Sequence, residues 1–157
     1  MFNIQCSNGS RTMSEVSELL KKHNSQSLLI GVTVLTNLDE KDINEIFKST
    51  LNIEELVLNM ATVARKSNMS GIVCSPNESG IIKEKLGKDF ITVCPGVRPK
   101  FTLDQNGKSG DDQNRIMTPY NAIKNGADFL VIGRPITKAE NPLEAAKAIL
   151  EEISEAL

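Results

Sequence analysis

Short apolar runs alternate with stretches of helical period along this chain. The runs are residues 1–6 (MFNIQC), 28–35 (LLIGVTVL), 71–74 (GIVC), 90–94 (FITVC) and 129–132 (FLVI). The second is continuous and rich in β-branched residues, the pattern of a strand covered on both faces, as in parallel sheets. After the first run, Thr12 and Glu15 read as a capping box, and Val16, Leu19 and Leu20 give one apolar face to a helix that ends near His23. A short helix is expected over residues 39–47 and a longer one over 52–66. The longer one has Leu56, Met60, Val63 and Ala64 at helical spacing, with Asn52 and Glu55 as a cap pair. Another follows Ser75-Pro76-Asn77-Glu78 and stops near Gly87. Thr118 and Pro119 open the next as N-cap and first-turn proline, and Gly126 ends it. Asn141 and Pro142 open the last, whose packed face is expected to be Leu143, Ala146, Leu150, Ile153 and Leu157.

The pattern therefore predicts an α/β chain of five parallel strands alternating with helices, in one domain over residues 1–157. Regular alternation requires parallel strands joined by right-handed crossovers. An open doubly wound sheet satisfies this, and so does a (β/α)8 TIM barrel. Five strands cannot close such a barrel, which takes about 250 residues. The sheet is either open or the C-terminal part of a barrel.

Composition narrows the function more than the fold. The 157 residues are 39% apolar and 24% charged, ordinary for a globular chain with a real core. Eighteen basic and 20 acidic residues, spread without blocks, give a net charge of −2. No nucleic-acid or membrane-surface footprint is visible, so any anion site must be local. No apolar run approaches the roughly 20 residues needed to span a bilayer, and no basic start precedes an apolar signal core, so the expected location is the cytoplasm. Cys6, Cys74 and Cys94 are odd in number and widely spaced, which fits neither a disulfide framework nor a zinc site; they read as reduced structural thiols. The single histidine, His23, falls at a helix end, where it serves the helix dipole or solvent rather than catalysis.

Candidate chemistry concentrates in the last third. Pro95-Gly96-Val97-Arg98-Pro99 and Gly133-Arg134-Pro135-Ile136 each follow an apolar run directly. A strand end that presents glycine backbone and a guanidinium suits an anion. Between them, residues 110–119 (GDDQNRIMTP) form a polar loop closing on a helix start. Two arginines flanking such a loop describe a phosphate clamp, with Arg115 as a competing charge near Arg98. For Arg134 the plainer alternative is an exposed ion pair, which contributes little and needs no such context. Lys83 and Lys138 have no surroundings that suggest a tuned proton donor and are expected on solvated helix surface.

Six segments, in order and over essentially the whole chain, resemble the orotidine 5'-phosphate decarboxylase family. They are Val32-Thr33-Val34-Leu35-Thr36, Gly71-Ile72-Val73-Cys74-Ser75, Pro95-Gly96-Val97-Arg98-Pro99, Asp112-Gln113, Arg115-Ile116-Met117-Thr118-Pro119 and Val131-Ile132-Gly133-Arg134-Pro135-Ile136. The resemblance implies a (β/α) barrel, usually a homodimer, that removes CO2 from orotidine 5'-monophosphate to give UMP with no metal or organic cofactor. On matching positions it implies that Arg134 and the Gly133 amide bind phosphate after the eighth strand. It likewise implies that Arg98 and Gln113 flank a gripping loop, with Gln113 reaching the phosphate and pyrimidine side. Thr36 corresponds to a residue that hydrogen-bonds the pyrimidine ring, and Pro95 to part of the apolar wall near the reacting carboxylate.

The departures are equally specific. The family's third strand carries Asp-x-Lys-x-x-Asp, whose lysine protonates C6 and whose carboxylates oppose the substrate's own; this sequence has no such motif. The first-strand aspartate and second-strand lysine are also absent, because the likeness begins at the fourth strand with Phe2-Asn3-Ile4-Gln5. There Gln5 stands where the family commonly has histidine, and Asn8 where it has a second glycine. The expectation is strands four to eight of the barrel, with no catalytic residue in this chain. The implied partners are orotidine 5'-monophosphate or UMP, together with a second copy or a complementary N-terminal piece. Two other readings stay open: a non-catalytic nucleotide- or phosphate-binding remnant, and a related sugar-phosphate barrel such as a keto-hexulose-phosphate decarboxylase or synthase. Thr36 and Gln113 favour the nucleotide.

Overall fold

The computed structural model describes residues 1–103 and 115–157. Strand β1 (Phe2–Gln5) runs through a 3-10 turn into α1 (Gly9–Lys22), and β2 (Leu29–Val32) is followed by α2 (Glu40–Phe47) and α3 (Ile53–Lys66). Next come β3 (Gly71–Val73), α4 (Ser79–Leu86), β4 (Ile91–Cys94), α5 (Pro119–Lys124), β5 (Phe129–Leu130), the single turn α6 (Arg134–Thr137) and α7 (Pro142–Ser154). Every neighbouring pair of strands is parallel, and the order across the sheet is β1-β2-β3-β4-β5. A doubly wound sheet needs that order to reverse at a switch point, so that helices cover both faces. Here each right-handed crossover steps the same way, which puts the helices on one side. This is the winding of a barrel wall, and five strands make part of one.

The register separates the two faces. Ile4, Gly31, Ile72 and Thr92 form one row across the sheet. Ile4 and Ile72 join the hydrophobic core with Met13 of α1 and Val57, Ala61 and Ala64 of α3, so this row faces the helices. The adjacent row, Gln5, Val32, Val73, Val93 and Phe129, must point the other way. Val32 and Val93 in its middle are 9% and 8% exposed, whereas Phe129 on the edge strand is 45% exposed. Gly71 permits the close approach of β3 and β4: a Cβ there would lie 2.1 Å from the Ile91 carbonyl oxygen.

Local signals explain most helix ends. Asn52 and Glu55 exchange side-chain and backbone hydrogen bonds at the start of α3 (2.9 and 3.0 Å). Asp39 and Asp42 do the same for α2, and Thr118 and Asn141 accept from the third residues of α5 and α7. Other expectations need correction. Helix α1 begins at Gly9, so Thr12 and Glu15 lie inside it rather than forming its capping box. Strand β2 stops at Val32, not residue 35. The fully buried residues of α7 are Ala145, Ile149 and Glu152; of the expected face Ala146 and Ile153 are half-buried, but Leu143 and Leu150 are each 63% exposed and Leu157, beyond the helix, is 93% exposed. Lys83 is not solvated: its Nζ donates to the carbonyls of Phe90 (2.9 Å) and Lys88 (3.1 Å) and pairs with Asp128 at 2.5 Å. Lys138 is exposed after α6, and all three cysteines are free and buried. Among the described residues, no helix is long and apolar enough to cross a membrane.

Candidate functional site

The C-terminal ends of β2, β4 and β5 converge on one cleft of about 290 Å3, lined by Thr36, Pro95, Gly96, Arg98, Val131, Gly133 and Arg134. The three segments come from sequence positions up to about a hundred apart, brought together by the parallel register. Each arrives by a different local device. After β2 the chain leaves the sheet, and Thr36 is buried at 6% exposure. After β4, Pro95 and Gly96 turn the chain; Gly96 has φ +76°, which a side chain would disfavour. After β5, Val131 N–H still donates to the Cys94 carbonyl (2.9 Å), and the chain then turns at Gly133 into α6.

Arg98 is fixed on both its backbone and its side chain. Its N–H donates to the Met117 carbonyl (2.9 Å), next to a parallel bridge between Val97 and Met117. Its Nη1 donates to the Val97 carbonyl (2.9 Å), and the residue is 5% exposed. The following turn is tied to the last helix, where Glu152 Oε1 accepts from Lys100 N–H (2.9 Å). Arg134 opens α6 and is half-buried. Two arginines therefore border a cleft whose remaining lining residues are uncharged.

Five of the six residues singled out from the sequence line this cleft: Thr36, Pro95, Arg98, Gly133 and Arg134. Gln113, with the rest of residues 110–114, lies outside the described residues. Arg115 does not enter the lining. Its side chain, 11% exposed, pairs with Glu78, which is 5% exposed, and its Nη2 donates to the carbonyls of Val34 and Leu35 (3.1 Å each). Glu78 Oε2 also accepts from Ser75 N–H (2.7 Å). Burial pushes the Glu78 carboxyl above the usual glutamate range, against the pull of Arg115 and the Ser75 N–H. Sequence reasoning missed this pair because its members stand 37 positions apart. The nearest approach to Asp-x-Lys-x-x-Asp, Asp39-Glu40-Lys41 with Asn44 in last place, is a helix cap, with Asp39 accepting from the Lys41 and Asp42 N–H groups.

The sequence profile of the Orotidine 5'-phosphate decarboxylase / HUMPS family matches residues 1–149. The orotidine 5'-phosphate decarboxylase of Teredinibacter turnerae is 43% identical over 153 residues, covering 98% of this chain and 63% of that protein. That of Geotalea daltonii is 42% identical over 156 residues, covering 98% of this chain and 62% of its own length. The crystal structure of orotidine 5'-phosphate decarboxylase from Lactobacillus acidophilus superposes with a TM-score of 0.74 at 29% identity, over 96% of this chain and 62% of that one. The chain thus spans a little under two thirds of the relatives it matches, as part of their barrel. By sequence profile, by identity along nearly its whole length and by its strand order, the chain belongs to the orotidine 5'-phosphate decarboxylase / HUMPS family.

Proposed function

We propose that the cleft binds the 5'-phosphate and pyrimidine ring of orotidine 5'-monophosphate or UMP, and that this chain is the substrate-gripping part of an orotidine 5'-phosphate decarboxylase. Arg134 and the Gly133 backbone take the phosphate, with Arg98 and Gln113 beside it. Thr36 hydrogen-bonds the ring, and Pro95 is part of the apolar wall near the substrate carboxylate. The observation that carries this reading is the convergence of five of these residues, two of them arginines, from three strand ends on one small cleft. Planar guanidinium groups match phosphate oxygens bidentately, and charge-assisted hydrogen bonds of this kind are about twice as strong as neutral ones.

The decarboxylation itself, a carboxy-lyase step of pyrimidine biosynthesis in the cytoplasm, needs an acid to protonate C6, and among the described residues the cleft lining offers no lysine, histidine or carboxyl group. We place that acid on a complementary N-terminal piece carrying Asp-x-Lys-x-x-Asp, with the assembled barrel acting as a homodimer. Phosphate held at the far end of the substrate supplies binding energy that can be used to exclude water and support the transition state at the reacting carbon. The absent motif also favours a second reading, a nucleotide-binding remnant without turnover.

Calorimetric titration of the 157-residue chain with UMP tests the binding. Arg134→Ala is expected to weaken it roughly ten- to hundredfold, from the loss of charge-assisted hydrogen bonds. Unchanged affinity in that variant sinks the reading of the cleft. Loss of the orotate absorbance, followed with and without an added N-terminal piece, then separates half an enzyme from a remnant.

A further inference from the structure

The Arg115–Glu78 pair is not part of the cleft lining, and its hydrogen bonds are distributed unevenly. On the Arg98 side, the described part of the segment that carries Arg115 contributes a backbone bond: Met117 accepts from Arg98 N–H. On the Thr36 side, the Arg115 side chain adds to a backbone turn in which Leu38 N–H donates to the Leu35 carbonyl (3.1 Å). The Arg115 Nη2 takes the carbonyls of Val34 and Leu35, the two residues immediately before Thr36, at 3.1 Å each. Those carbonyls belong to the part of the apolar run that has left the sheet, where β-ladder partners are no longer available. The guanidinium is fixed in turn by Glu78, whose other oxygen is held by Ser75 N–H at the end of β3 (2.7 Å), and Ser75 Oγ donates back to the Arg115 carbonyl (3.4 Å).

This arrangement carries a cost that packing alone does not explain. The pair is nearly inaccessible to water, and the Arg115 Nε has no hydrogen-bond partner among the described residues. A buried ion pair with an orphaned donor is often no more stable than apolar side chains of similar size. What the pair does supply is a rigid, planar fork that ties the end of β2 to the end of β3.

We propose that Arg115 is a positioning residue for nucleobase recognition: braced by Glu78, it holds the Val34–Leu35 carbonyls and thereby sets Thr36 against the ring. This rests on the nucleotide reading of the cleft. Arg98 and Arg134 hold the phosphate half by other contacts, so Arg115 governs the preference for a nucleotide over a bare sugar phosphate and leaves phosphate affinity alone. Lysine cannot replace it, because an ammonium group lacks the fork that spans a carboxylate and two carbonyls.

The test is a pair of calorimetric titrations, UMP and ribose 5-phosphate, on the full chain, on Arg115→Lys and on Glu78→Gln, with thermal melts to establish that each variant is folded. The expected result is that UMP affinity falls about tenfold in both variants, while ribose 5-phosphate affinity changes less than about twofold. In a Thr36→Val background, Arg115→Lys is expected to cost nothing further, because its effect passes through Thr36. Equal loss for both ligands in folded protein means a general structural role and overturns the inference, as does unchanged UMP affinity or full additivity with Thr36→Val. If the unaltered chain binds UMP no better than ribose 5-phosphate, the nucleotide reading itself fails and takes this inference with it. That outcome is distinguished by needing no variant.

Discussion

Cys6, at the end of β1, is pressed against Gly31: a Cβ added to that glycine would lie 2.7 Å from the Cys6 sulfur. Burial pushes the thiol from its ordinary value of 9.0 up to about 11. The folded chain therefore keeps a proton that the unfolded chain releases between those values. This contribution to stability is fully present below pH 9.0 and is lost as pH rises through about 11. Urea unfolding at pH 8 and pH 10.5 should show a loss of about 2 kcal/mol that Cys6→Ala does not share. An equal slope in both proteins would refute the assignment. At this scale the sequence was legible wherever chemistry and chain position coincide. Arg98 and Arg134 each follow an apolar run and a glycine, and both line the cleft. It was opaque wherever a side chain finds its partner across the fold. Lys83 reaches Asp128, 45 positions on, and Arg115 reaches back to Glu78. One-dimensional context could not distinguish either from an ordinary surface cation.

Elements were legible in kind and order, and less so in extent and facing. Asn52 with Glu55, Thr118 with Pro119 and Asn141 with Pro142 mark helix starts through bonds made within one turn, which is why they could be read directly. The strands are shorter than their apolar runs: residues 33–35 of the second run and 131–132 of the last lie beyond the strands, and Val131 among them lines the cleft. The face of α7 was misread in part because its buried stripe contains a carboxylate: Glu152 faces inward to accept from Lys100 N–H, while Leu143 and Leu150 lie outward. The sheet itself has one steric requirement that can be tested. Gly71→Ala would drive a methyl into the Ile91 carbonyl, so the β3–β4 pair must spread. We expect a loss of about 3 kcal/mol or more, read as a lower urea midpoint or as protein that no longer accumulates in soluble form. A midpoint within experimental error of the unaltered chain would show that the sheet yields there.

At the scale of the whole molecule, both sheet edges are exposed: Phe2 on β1 is 40% exposed, and β5 is the other flank. Phe129 is 45% and Val131 is 51% exposed. A neighbouring groove of about 410 Å3 runs between β5 and α7, with Leu130, Ile132, Ile149 and Leu150 among its walls. A parallel edge with apolar side chains is an invitation to further pairing. Sedimentation of the isolated chain is expected to show self-association, reduced by Leu150→Glu and relieved by a complementary N-terminal piece. A monodisperse, cooperatively melting monomer would contradict this. The barrel winding could not be separated from an open sheet by alternation alone, since both have it; the difference lies in pairing order, which local sequence does not encode.

Among the described residues each strand pairs with its neighbours in the chain, so β1 through β5 emerge during synthesis in the order in which they stand in the sheet. Within this sheet no unit has to wait for a distant partner, which lowers the entropic cost of closing loops between parallel strands. The cleft behaves differently, since it draws on β2, β4 and β5 and exists only once the last unit has joined. A nucleotide that fits it acts as a check on completed assembly: at a concentration of 100 times its dissociation constant, it favours finished chains over partly docked ones by about 2.7 kcal/mol.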